Sequence, residues 1–339
     1  MIDKLWNGIK SPDNKINSIS INIQKLERMT HNDRINDEKT RFGLGYKGSK
    51  SKLVSELFKF MPKAENFYDL FGGGGAVTDY ALYKGLYKNY TINELNELTY
   101  KALTMYFNDD FKDEKRWISR EDFFKLKDTD PYVAFCYSFG SSLVTYMYNP
   151  DKEQCERAFH YAICYDDYEQ LDQYLGKYKI RLYSSNIFDK RIELQNYLRN
   201  LFEKNICNNL ERNPLISFND QYPKSVYNPP KNLEILNKSY IDCNIRDNSV
   251  IYCDIPYKDT YCKGYSSGFN HDEFYDWCLR QKQLVFISEY QMPSDFVAVT
   301  EIEFLSTFND KSAKKVVERL YIPKKQKEYY DYLMNPEDW

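Results

Sequence analysis

No Cys-x-x-Cys pair occurs in the 339 residues, although 8 cysteines are present, at positions 136, 155, 164, 207, 243, 253, 262 and 278. Such scatter argues against a metal site and a disulfide framework alike, and reduced thiols are the expectation. Histidine is scarce. His31, His160 and His271 lie too far apart in sequence to form a local metal site, so no metal is expected. No apolar run approaches the length of a membrane span, and the first residues hold no apolar signal-peptide core. The expectation is a cytoplasmic protein that does not engage a membrane. Excess charge of one sign is missing too. A formal net charge of −3 excludes a coat of positive charge but leaves a local basic face open. Two nucleotide fingerprints are absent as well. Gly48 is followed by Ser49 rather than by the Lys-Ser/Thr of a P-loop, and the glycines after residue 71 do not spell G-x-G-x-x-G. Neither ATP nor a nicotinamide cofactor is implied.

Aromatic residues, by contrast, are plentiful, with 32 tyrosines and 21 phenylalanines. Tyrosine stacks on nucleobases, but most of these side chains belong to core or ordinary surface. The length suits one large or two moderate domains with a full hydrophobic core.

The stretch Val250-Ile251-Tyr252-Cys253-Asp254-Ile255-Pro256-Tyr257 organises the rest. Val250, Ile251 and Tyr252 read as a buried strand, which Pro256 cannot continue. Asp254 then stands at a strand's carboxyl end, where open α/β sheets bind their ligands. Pro256 restricts Ile255 to extended backbone, which fixes the direction of the Ile255 carbonyl. A carboxylate, a carbonyl and an aromatic face thus fall within four residues. That set suits a planar ring bearing an exocyclic amine, with Tyr257 to stack on the ring. A strand ending in a plain turn is the alternative for so short a motif.

Upstream, residues 1–40 read as a polar, variable extension, in which Ile19, Ile21, Ile23 and Leu26 suggest a short strand or a helix face. A Gly/Lys/Ser loop follows at 41–52, with Ser49 or Ser51 expected to cap a helix whose apolar face is Leu53, Val54, Leu57, Phe58 and Phe60. Its Tyr46 and Lys50 suit an adenosine or a carboxylate; a solvated basic loop is the equal alternative. Residues 67–71 read as a strand that runs into Gly72-Gly73-Gly74-Gly75 and a helix over 76–83, the first unit of a dinucleotide-type fold. A second strand over 88–93 ends at Glu94, placed where ribose hydroxyls are held. From about residue 100 to 231 the pattern becomes mainly helical, notably over 153–165 and 192–209, and no internal repeat is present. The α/β pattern returns at 239–242. It continues through the central strand, a Tyr/Gly/Ser loop over 258–270, a helix over 271–280 capped by Asn270 or the His271-Asp272 pair, and strands over 284–288, 297–304 and 316–322. Lys311, Lys314, Lys315, Arg319, Lys324, Lys325 and Lys327 form the best candidate for a phosphate-facing patch, a solvated face being equally plausible.

Taken together, the motifs YKGSK at 46–50, DLFGGGGA at 69–76, INELN at 92–96, CDIPY at 253–257 and FISEY at 286–290 resemble those of the Dam-like, D12 class of DNA N6-adenine methyltransferases. The bacteriophage members are the most similar, and the likeness spans roughly 41–322. It implies a class I S-adenosylmethionine-dependent methyltransferase fold, an α/β protein with a Rossmann-like sheet and an inserted, mainly helical target-recognition domain. The implied boundaries are an extension at 1–40, a catalytic domain at 41–100 and 232–325, the insertion at 101–231 and a tail at 326–339. The activity implied is site-specific methyl transfer from S-adenosylmethionine to N6 of an adenine flipped out of duplex DNA. The implied setting is a bacterial or phage-infected cell, in restriction-modification or phage DNA modification, with the protein a monomer or weak dimer. Implied cofactor contacts are Tyr46, Lys50, Asp69, Phe71, Gly72, Gly74, Glu94 and Asp254. Implied catalytic positions are Asp254, Ile255, Pro256 and Tyr257. Two departures stand out: Ile255 replaces the family's usual proline, and Glu94 a more usual aspartate. Cys253 should point away from Asp254 on a strand and is read as structural. Alternative readings are another acceptor amine, of cytosine N4 or RNA adenine, or a cofactor- or DNA-binding protein without catalysis.

Overall fold

The run at Val250–Tyr252 is buried because it lies in the middle of a seven-stranded sheet. A computed structural model describes residues 42–139, 142–176, 178–203, 230–257, 268–306 and 314–335. The extension at 1–40, most of the loop at 258–270 and Lys311 fall outside the described residues. The strands are β1 (Asn66–Asp69), β2 (Asn89–Asn93), β3 (Leu233–Leu236), β4 (Ser249–Asp254), β5 (Leu284–Glu289), β6 (Phe296–Ser306) and β7 (Lys314–Pro323). Their order is β3-β2-β1-β4-β5-β7-β6. The first five pair in parallel, whereas β7 runs antiparallel to β5 and to β6.

Parallel strands buried on both faces read as continuous apolar runs, which is why β4 and β5 stand out in the sequence. Alternation along β4 divides the core into two layers. Val250 and Tyr252 join Leu57, Tyr80, Ala81, Phe286, Leu320 and Ile322 on one face. Ile251 and Cys253 join Phe274, Trp277, Val285 and Ile287 on the other. Helix α2 (Ala76–Lys84), after the short α1 (Val54–Leu57), covers the first face. The second is covered by a helix over His271–Arg280, numbered α9 below, whose N-cap Asn270 accepts from the Glu273 amide. Helices on both sides of a mostly parallel sheet make a doubly wound α/β fold.

The described chain between β2 and β3 is mainly helical. It holds α3 (Glu97–Phe107), α4 (Arg120–Leu126), α5 (Pro131–Cys136), α6 (Pro150–Tyr165), α7 (Glu169–Leu175) and α8 (Ile187–Glu203). Asp130 and Asn149 cap α5 and α6, and each is followed by proline at the first helical position, where a missing N–H costs nothing. Residue 101, read as the insertion's start, falls inside α3. That helix packs Ala102 and Leu103 into one cluster with Ile92 of β2 and Leu44, so it is bound to the sheet. A separate cluster, with Phe159, Leu171 and Leu194, joins α6, α7 and α8.

Three local expectations change. Residues Tyr240–Asp242 form a 3-10 turn, and the strand returning to the sheet is instead β3. No side chain caps α1; the Ser51 hydroxyl accepts from the Phe42 amide instead, 2.9 Å away. Within the segment 326–339, read as a tail, the described residues include α10 (Lys327–Met334), whose Tyr330 is buried edge-on against Phe286. The Gln326 side chain accepts from Val285 N and donates to the Gln283 carbonyl, which ties this end to β5.

Candidate active site

Asp69, Glu94 and Asp254 stand at the carboxyl ends of β1, β2 and β4, and β1 is the strand from which the order departs in both directions. Open α/β sheets bind their ligands in a crevice at such a switch point, outside the carboxyl ends of the strands.

One half of the crevice is a cradle of backbone. After β1 the chain turns through Gly72–Gly75, and the loop at 42–46 lies against that turn. Leu44 N donates to Gly74 O at 2.7 Å, and Gly43 N donates to Asp79 Oδ2 at 2.9 Å. The contact is so close that a Cβ on Gly74 would sit 2.7 Å from Tyr46 Cβ and 2.8 Å from the Leu44 carbonyl. Gly43, at φ +71°, would place a Cβ 2.5 Å from Gly74 O, and a Cβ on Gly72 would meet Ile92 at the same distance. These glycines are therefore demanded by the protein's own packing. The ring of Tyr46 rests beside Gly73 and lies nearly parallel to that of Phe135, with centroids 6.4 Å apart.

Two buried carboxylates face this cradle. Glu94 accepts from Gly73 N at 2.9 Å through one oxygen and from Asn96 N at 2.8 Å through the other. Burial pushes its carboxyl up, and these amides pull it back. Asp69 Oδ2 accepts from Thr78 Oγ1 at 2.9 Å, while the buried Oδ1 has no partner among the described residues. Burial pushes Asp69 up to about 7, against the Thr78 hydrogen bond. An orphaned buried acceptor and a carboxylate with lone pairs left over form a donor-seeking set. With the Tyr46 ring they fit a ligand that carries an ammonium, ribose hydroxyls and a heteroaromatic ring. Phe71 is edge-on to Phe274 and Phe269, so it lines the second core face.

The other half of the crevice is a charged cluster. Lys50 donates to both oxygens of Asp254, at 2.7 and 2.8 Å, and to the Tyr257 hydroxyl at 2.8 Å. That hydroxyl in turn donates to Glu318 Oε1 at 2.5 Å, and Glu318 lies 3.6 Å from the Lys50 ammonium. Lys50, which the loop offered to an adenosine or a carboxylate and the family resemblance to the cofactor, thus engages the acid of β4. Burial opposes its charge, but Asp254 and Glu318 more than offset that and hold its pKa above the usual value. Burial pushes Asp254 up to about 6, with Lys50 pulling down and Glu318 pushing further up. Tyr257 is kept a phenol by burial and by the two carboxylates. Its ring meets that of Tyr290 edge to face at 4.6 Å. Asp254 keeps 22 % of its side chain exposed, against 3 % for Glu318, so the first of the two has an open side.

The Ile255 side chain is buried in the second core layer, which leaves its backbone to serve the crevice edge. His271 holds the following turn by donating from Nε2 to the Pro256 carbonyl at 2.9 Å. Cys253 is fully buried, and burial lifts its thiol far above the usual range, so it offers no nucleophile. No group of three or more metal-ligating side chains occurs among the described residues, and no described helix is long and apolar enough to cross a membrane. The expected basic patch does not present free cations throughout. Arg319 is taken by Glu301 and the Tyr290 carbonyl, and Lys327 by Asp331.

Sequence reasoning missed Asp79 and Glu318, and read His271 as a candidate helix cap rather than as the partner of Pro256. Asp79 is a buried acid that pins the 42–46 loop and accepts from Tyr106 at 2.6 Å, a contact no local pattern shows. Glu318 did leave a signal, since it shares the alternation of the core residues Leu320 and Ile322.

The family model described as D12 class N6 adenine-specific DNA methyltransferase matches residues 46–326. Comparison with curated proteins finds no match.

Proposed function

The chain belongs to the D12 class of N6 adenine-specific DNA methyltransferases, and from that premise we propose how its crevice carries out the transfer. The observation that carries the reading is Asp254. It is a partly open carboxylate at the end of β4, three residues from an aromatic ring and on the strand next to β1, whose end bears Asp69.

S-adenosylmethionine, the donor such an enzyme uses, supplies an electrophilic methyl on its sulfonium. Glu94 is the acceptor for ribose hydroxyls, Asp69 Oδ1 for a further donor, and Tyr46 the face for the adenine ring. Gly74 lets the 42–46 loop close on the turn after β1, and Gly72 lets that turn approach Ile92 of β2, which together build that cradle. The target adenine leaves the duplex at a cost of roughly a few kcal/mol and stacks on Tyr257. Its N6 amine donates to Asp254 and to the Ile255 carbonyl, whose direction Pro256 fixes.

An ionised carboxylate has about four lone-pair sites. Lys50 occupies one on each oxygen, so acceptor capacity remains for the amine. Accepting the N6 hydrogens raises electron density on nitrogen and orients its lone pair. Asp254 is also the nearest base for the proton that N6 sheds afterwards. No cysteine adduct is needed, in keeping with the inert Cys253.

The test is product analysis. Labelled S-adenosylmethionine is incubated with unmethylated duplex DNA and the nucleosides are separated. N6-methyladenine is the expected product. Label in N4-methylcytosine, or in RNA alone, would overturn the reading.

A further inference from the structure

Glu318 belongs to none of the motifs that identify the family, yet its carboxylate makes the shortest hydrogen bond of the charged cluster, at 2.5 Å. Because β7 runs antiparallel to β5, its early residues reach the carboxyl edge of the sheet. Glu318 therefore arrives beside Asp254 from the far side, at a core-facing position next to Leu320. An acid in a strand register otherwise filled by leucine and isoleucine costs stability unless it is paired. Here it is paired twice, with the Tyr257 phenol and, at 3.6 Å, with the Lys50 ammonium.

One ammonium thus faces two carboxylates and leans on Asp254. That arrangement quiets Asp254 before substrate arrives but opposes its task, because a bound cation drains the electron density that the target amine requires. Glu318 offers the cation somewhere to go. It also fixes the phenol, and with it the plane of the ring on which the base is to stack.

We propose that Glu318 is a positioning residue for methyl transfer, holding the Tyr257 ring and acting as the second carboxylate for Lys50, so that the ammonium leans off Asp254 as the target amine enters. The inference rests on the transfer role proposed above for Asp254. Groups facing Asp254 are Lys50 from the 42–50 loop, Tyr257 from its own turn, Glu318 from β7 and Tyr290 after β5, with Tyr252 and Asp69 further along the strands. Of these Glu318 is the nearby carboxylate whose removal eases ionisation of Asp254.

The experiment compares wild type, Glu318→Gln and Glu318→Ala. It measures kcat and KM for methyl transfer to unmethylated duplex DNA between about pH 5 and 9, together with thermal melting and S-adenosylmethionine binding. Glu318→Gln should melt near wild type and bind S-adenosylmethionine within about threefold. Its kcat should fall about tenfold or more. The acid limb of its rate profile should move to lower pH, because Asp254 has lost a neighbouring negative charge. Glu318→Ala should add a rise in KM for DNA as the ring loses its tether. An unchanged kcat and acid limb in Glu318→Gln overturns the proposal. So does a loss of activity that merely tracks lowered melting while the limb stays put, since that marks a structural residue. A wild type that transfers no methyl to DNA defeats the underlying reading, and it does so before any variant is compared.

Discussion

The amide of Gly73 donates to the carboxylate of Glu94 at 2.9 Å, so the glycine turn after β1 and the acid after β2 form a single unit. Both Glu94 oxygens are held by backbone N–H groups, which fixes where its remaining lone pairs point. Glutamine at this position would turn an NH2 towards one of those amides. Glu94→Gln should therefore weaken S-adenosylmethionine binding by about tenfold or more, as read by titration calorimetry. Wild-type affinity in this variant would remove Glu94 from the cofactor site.

Gly74→Ala tests the cradle itself. Its Cβ would meet two atoms of the 42–46 loop below 3.0 Å, both of them close to the backbone and unable to swing aside. Overpacking of this kind costs about 1–3 kcal/mol, so a lower melting temperature and weaker cofactor binding should appear together. Gly85→Ala is the control. It has open space around it, and its penalty is confined to the strain of φ +60° at the end of α2. Equal melting of Gly74→Ala and wild type would contradict the close approach.

How much of this was legible beforehand differs between elements for physical reasons. β1, β4 and β5 are buried on both faces, so each announces itself as an apolar run ended by an acid or a glycine. β3 escaped because Leu233–Leu236 is an edge strand, half-buried, with a weak local pattern. The acids Asp254 and Glu94 were readable from their place after strands. Asp79 was not, and Glu318 left only its alternation with Leu320 and Ile322, since each gains its meaning from a partner far away in sequence, Gly43 in one case and Tyr257 in the other. The role of Lys50 was half legible: its loop was recognised, but its ion pair with Asp254 spans 204 residues.

Asp254 sets a pH signature. Burial and Glu318 raise it to about 6 despite Lys50, and in the proposed role the ionised carboxylate is the stronger acceptor for the amine. Methyl transfer should rise with pH through about 6 and level off above. A rate profile flat down to pH 5 would remove Asp254 from its acceptor role.

A second pH effect concerns stability. Glu156, in α6, is buried with one oxygen unpaired, and burial pushes it up to about 8 from an ordinary 4.5. Between those values the folded chain keeps a proton that the unfolded chain has lost. The stabilisation is therefore full below about 4.5 and drains away as pH rises through about 8. Glu156→Gln, which never ionises, should gain on wild type as pH rises, by on the order of 1–3 kcal/mol at pH 8, and differ little at acid pH. Thermal melts across that range check it, and a gain that does not grow with pH would count against the buried acid.

The most direct test of the account is Asp254→Asn, assayed for cofactor binding and for methyl transfer to duplex DNA in parallel. The substitution keeps shape but replaces one acceptor oxygen by an NH2 that cannot accept from the amine. The account predicts S-adenosylmethionine binding close to wild type and a transfer rate lower by about a hundredfold or more. Wild-type transfer by this variant would contradict the claim that Asp254 is the group that receives the adenine amine.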